Sequence, residues 1–90
     1  MKVAVTVQHH DHEPYIEYVD TEKLDKGNYV DMELLKAIKA KEEYCVIDAS
    51  NWEDHPDKFP DDDIGISAKA NIKKPKKFDF AIMLTIDFDC

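Results

Sequence analysis

Phe78, Phe80, Ile82, Leu84, Ile86 and Phe88 occupy every second position of an unbroken run near the end of the chain. An extended strand places all of them on one face, whereas a helix would scatter them around its circumference. The opposite face carries Asp79, Ala81, Met83, Thr85 and Asp87, polar at its ends and mildly apolar at its centre. At ~3.3 Å per residue the run spans roughly 36 Å, so it crosses a domain of this size, bends, or projects beyond it.

The same alternation opens the chain. Val3, Val5 and Val7 alternate with Lys2, Ala4, Thr6 and Gln8, a β-branched strand. His9-His10-Asp11-His12-Glu13-Pro14 interrupts it, and Tyr15–Val19 resumes as the second arm of a hairpin. Asp20–Gly27 reads as a polar turn or a single helical turn, with Thr21 as its cap. From Asn28 to about Lys41 the period becomes helical. Val30, Leu34, Ala37 and Ile38 form a stripe with Leu35 at its edge, Asn28 caps the first turn, and Lys36, Lys39 and Lys41 suit the negative end of the dipole.

Tyr44–Asp48 reads as a short strand, apolar enough to be central. Ala49–Asp63 has no periodicity and contains Pro56, Pro60 and six acids; aperiodic stretches of this length in compact domains are usually functional or mobile. Ile64, Ile66, Ala68, Ala70 and Ile72 alternate again. The Lys73-Lys74-Pro75-Lys76-Lys77 turn then leads into the final strand, which suggests a long antiparallel hairpin. The expected architecture is a single α+β domain over residues 1–90, in the order β-β-α-β-β-β. An antiparallel sheet of four to five strands would carry one helix on one face.

Composition adds a functional constraint. Of 90 residues, 43% are apolar and 36% charged, enough for one core under a densely ionic surface. The net charge is −8, and all twelve basic residues are Lys. Arg is the preferred bidentate partner of phosphate and of guanine edges, so an acidic chain without Arg is poorly suited to direct nucleic-acid binding. Its field favours basic protein surfaces instead. The charge is also segregated: residues 42–63 sum to −8 and residues 64–77 to +5. The chain opens directly on a strand pattern and has no apolar run of membrane-spanning length. We therefore expect no membrane association and a reduced, cytoplasmic setting for Cys45 and Cys90, although a disulfide between them is an open alternative.

Three stretches offer candidate chemistry. In the acidic one, Glu42, Glu43, Asp48, Glu53, Asp54, Asp57, Asp61, Asp62 and Asp63 surround Trp52, His55 and Phe59. Charge steers an encounter and aromatic rings supply buried area, so this composition suits a protein interface. Spaced carboxylates can also imitate a phosphate backbone inside a basic groove. The plainer reading is a solvated loop that keeps a small protein soluble. Asp61-Asp62-Asp63 before Gly65 has hard-cation donors but lacks the alternate spacing and bidentate Glu of a calcium loop. The second stretch is His9-His10-Asp11-His12-Glu13, where His10 and His12 can face one way with His55 as a distant third ligand. His9, His10 and His12 thus form an alternative site for a divalent metal or a pH-sensitive patch. Its H-H-D-H spacing is not the H-x-H-x-D-H of metallo-β-lactamase-type hydrolases. The third is the Lys73–Lys77 turn, which suits nucleic acid, neutralisation of the acidic stretch, or protection of a sheet edge.

Neither Ser50 nor Ser67 lies in a nucleophile turn, and Gly27 and Gly65 cannot build a phosphate loop. No residue set asks for catalysis or a cofactor. In size, charge and lack of catalytic motifs the chain resembles the small acidic inhibitors that bacteriophages encode against host defence, anti-CRISPR and anti-restriction proteins among them. The resemblance implies a non-enzymatic inhibitor acting in the host cytoplasm on a protein with a basic nucleic-acid-binding groove. Its contacts would come from Trp52, Glu53, Asp54, Asp57, Phe59, Asp61, Asp62 and Asp63. A homodimer or a larger homo-oligomer is a further alternative.

Overall fold

A computed structural model describes residues 1–9, 12–49, 66 and 71–87, with backbone only at His9, His12 and Asn71. The described elements are β1 (Lys2–His9), β2 (His12–Asp20), a 3₁₀ turn (Thr21–Lys23), α1 (Tyr29–Lys39), β3 (Tyr44–Asp48), β4 (Asn71–Ile72) and β5 (Phe80–Asp87). The class is α+β and the element order is the expected one. No described helix is long and apolar enough to cross a membrane.

The strands form a sheet in the order β3-β5-β1-β2-β4. It is mixed, not antiparallel. β5 runs parallel to both β1 and β3, while β2 runs antiparallel to β1 and to β4. The expected hairpin between the last two strands does not form, because β4 pairs with β2 at Tyr18 and Val19. The reason lies in the apolar row of β5. Ile82, Leu84 and Ile86 are buried, and a central position covers them from both sides. Val5 and Val7 stand opposite Ile82 and Leu84, and Cys45 and Ile47 stand opposite Leu84 and Ile86. An edge position beside β4 would leave one flank of that row uncovered. β3, expected to be central, takes the edge.

One face of the sheet carries the core. Val3, Val5, Val7, Val19, Cys45, Ile47, Ile82, Leu84 and Ile86 pack against Val30, Leu34, Ala37 and Ile38 of α1, with Leu24, Ala49 and Ile66 in the same cluster. The helical stripe is as expected, with Leu35 partly buried beside it. The other face presents Ile16 of β2, Met83 of β5, and Tyr44 and Val46 of β3; Ile16, Tyr44 and Val46 are exposed.

Local chemistry fixes the ends of the elements. Asn28 caps α1: its Oδ1 accepts the Asp31 N–H at 3.1 Å. Asp31 is fully buried, and its carboxylate accepts the Asp25 N–H at 2.9 Å, which ties the preceding loop to the first turn. At the other end Lys41 has φ 57°. The Lys41 N–H donates to the Ile38 carbonyl and the Glu42 N–H to the Ala37 carbonyl, both at 3.0 Å. This is the two-bond Schellman closure, with Lys at the position glycine usually holds. Asp20, not Thr21, caps the 3₁₀ turn by accepting the Glu22 N–H. Pro14 lies within β2 and does not break it. The β1–β2 register shifts between Val7 and His9, and β4 pairs only near the far end of β2. A residue without an N–H is tolerated at such a bulge and on a flank that no described strand pairs.

Candidate functional site

The three mutually parallel strands β1, β5 and β3 end on the same side of the molecule. His9 stands in register with Ile86, and Asp48 with Asp87. Asp48 and Asp87 are exposed carboxylates on adjacent strands, and neighbouring strands lie about 4.8 Å apart. Like charges placed side by side across a ladder are mutually repulsive. The acidic stretch of the sequence begins just beyond Asp48. Trp52, Glu53, Asp54, His55, Asp57, Phe59, Asp61, Asp62 and Asp63 lie outside the described residues, as do His10, Phe88 and Asp89.

Lys73, Lys74, Lys76 and Lys77 are exposed and precede β5, at the end opposite Asp87. Eight residues of strand separate the two ends, a distance of about 25 Å at ~3.3 Å per residue. That exceeds the ~8 Å screening length of physiological salt several-fold, so the Lys turn does not neutralise the Asp48–Asp87 pair. Asp79, on the lysine side, is engaged locally. Its carboxylate accepts the Lys2 N–H at 3.1 Å and its own N–H donates to the Lys2 carbonyl at 2.8 Å. The strand begins at Phe80, and the ring of Phe78 packs 6.2 Å from that of Tyr18.

The register sets His9 directly across from His12 on β1 and β2. Among the described residues, no group of three or more His, Cys, Asp or Glu is arranged to hold a metal ion.

Beside the acidic end, β3 forms an outer edge flanked by α1. A groove of about 340 Å³ runs between them, lined by Glu33, Lys36, Ala37, Ala40, Glu42 and the strand residues Tyr44–Val46. Cys45 forms part of its floor. Burial, together with the Glu33 and Glu42 carboxylates, pushes the Cys45 thiol up to about 11. The thiol is therefore protonated at neutral pH, a structural and not a reactive cysteine. On the opposite face a second depression of about 300 Å³ is lined by Thr6, Glu43, Tyr44, Ala81, Ile82 and Met83. Sequence reasoning missed this edge because it placed Tyr44–Asp48 in the middle of the sheet. Nothing in the sequence signals it: Tyr-Cys-Val-Ile-Asp has four apolar residues in a row, although Cys45 and Ile47 are buried while Tyr44, Val46 and Asp48 are exposed.

Compared with models of known protein families, with curated proteins and with solved structures, the chain matches none.

Proposed function

We propose that the chain is a non-enzymatic binding protein that docks its acidic side onto a basic, nucleic-acid-handling surface of a protein partner. The observation that carries this reading is the placement of charge. The stretch 42–63, which sums to −8, includes Asp48, in register with Asp87, while the lysine turn sits at the far end of β5. Separation of Asp48 and Asp87 from the lysine turn supports a directional field, which speeds encounter with a basic surface and selects its orientation. Carboxylates from residues 53–63 occupy the partner's phosphate positions, and Trp52 and Phe59 supply the buried area. Inhibition of a host defence nuclease, the role of the phage inhibitors it resembles, is the biological form we assign to this activity.

The test is affinity capture from nuclease-treated host lysate, at low and at high salt, with the captured proteins identified. The reading requires nucleic-acid-binding proteins retained at low salt, released at high salt, and lost when Asp61, Asp62 and Asp63 are replaced together by Asn. Capture that is indifferent to salt and to the triple substitution overturns it.

A further inference from the structure

The outer edge of β3 offers a second surface, built entirely from described residues. In its ladder with β5, the Glu43 carbonyl accepts the Met83 N–H at 3.0 Å and the Ala49 N–H donates to the Asp87 carbonyl at 2.8 Å. Bonding alternates along a parallel strand, so Glu43, Cys45, Ile47 and Ala49 bond inward. The N–H and C=O groups of Tyr44 and Val46 therefore point off the sheet, and no described strand pairs with them. Natural edges are usually blunted by lysine, proline or a bulge. β3 has none of these: its residues are Tyr-Cys-Val-Ile-Asp and its pairing with β5 is regular.

We infer that β3 accepts an extended, basic segment of a partner protein as an additional strand. The groove between α1 and β3 supplies the second half of such a site. Side chains on one face of an added strand fall against Ala37, Ala40 and Cys45, where small residues leave room for apolar groups. Those on the other face lie beside the exposed side chains of Tyr44 and Val46, 64% and 66% accessible. The rim decides the chemistry of the occupant. Glu33 and Glu42 border the groove against a single Lys36, Glu43 precedes the strand and Asp48 ends it. An alternating apolar and Lys or Arg segment satisfies both the apolar floor and the acidic rim. A second copy of this chain does not, because it would bring its own Glu42, Glu43 and Asp48 to the seam at a net charge of −8. Main-chain bonds give such a complex its affinity, and the alternate side-chain positions give it selectivity.

The inference rests on the reading of the chain as a binding protein, but it concerns different residues and is tested separately. The probe is a short synthetic peptide of alternating Val and Lys, titrated into the full-length, nitrogen-15-labelled chain, with a Val and Glu peptide as control. The expected result is saturable binding of the Lys peptide alone. Amide exchange at Tyr44 and Val46 should slow tenfold or more, with Val5 unchanged. Val46→Pro removes an N–H that no described strand accepts and should abolish this protection. Should that variant fail to fold, the surface substitutions Glu33→Gln and Glu42→Gln together should weaken the peptide at least fivefold. Binding without protection at Tyr44 and Val46 overturns the edge site while leaving the acidic docking surface standing. So does protection that arises from self-association of the chain without peptide. Protection at both amides together with salt-indifferent capture from lysate has the opposite meaning.

Discussion

Lys41 pays a conformational cost that glycine would not. Its φ of 57° lies in the left-handed region, where an L residue is disfavoured by roughly 1–2 kcal/mol. Glycine removes that term but loses about 0.4–1 kcal/mol more through the entropy of the unfolded chain. Lys41→Gly should therefore stabilise the protein by about 0.5 kcal/mol, or 2–4 °C in Tm for a domain of this size, measured by thermal unfolding. Asp31 works in the other direction. It is buried and accepts the Asp25 N–H, so Asp31→Ala leaves a donor unsatisfied and should cost about 1–3 kcal/mol in denaturant unfolding. Cys45 adds a pH dependence. Its folded pKa is raised from 9.0 to about 11, so the unfolded chain loses the thiol proton first as pH rises. The stabilising contribution is complete below pH 9 and disappears as pH rises through 11. Unfolding free energy should fall less between pH 8.5 and 10.5 in Cys45→Ala than in the parent. At this scale the sequence was only partly legible. The cap at Asn28 follows from residue type and position, whereas the burial of Asp31 depends on where the loop at Asp25 returns, which no local pattern records.

At the scale of elements, periodicity located α1, β1, β2, β3 and β5, because burial on one face of a helix or strand writes itself into local spacing. Neighbour relations were not written there. Strands adjacent in sequence pair or neighbour in about two-thirds of cases, and the last two strands are an exception. The β5 row of Ile82, Leu84 and Ile86 gains more from the space between β1 and β3 than from a turn with β4. Pro14 misled for a similar reason: it reads as a break in isolation, but the register shift near His9 admits it into β2. The central role of β5 carries its own prediction. Leu84 is fully buried and stands between Val7 and Cys45, so Leu84→Ala should cost about 3–5 kcal/mol. Ala81, exposed on the other face of the same strand, should tolerate Ala81→Ser within about 0.5 kcal/mol. The two values from denaturant unfolding would establish which face of β5 holds the fold together.

Across the whole molecule, charge is the property the sequence states most plainly and the fold makes directional. The composition already disfavoured direct nucleic-acid binding. The separation of Asp48 and Asp87 from the lysine turn by the length of β5 required the strand order. A net charge of −8 destabilises the compact state through self-repulsion. Salt shortens the Debye length from about 30 Å at 0.01 M to about 8 Å at 0.15 M. It should therefore raise the Tm of the free protein by a few degrees, while the same change weakens its hold on a basic partner. These opposite signs are diagnostic when both are measured on one preparation. A merely solvating acidic stretch gives the first effect without the second. A complex held mainly by apolar contacts leaves binding unchanged while Tm still rises. Replacing Asp61, Asp62 and Asp63 by Asn should diminish both salt responses together, because the same carboxylates repel one another in the free chain and attract the partner in the complex.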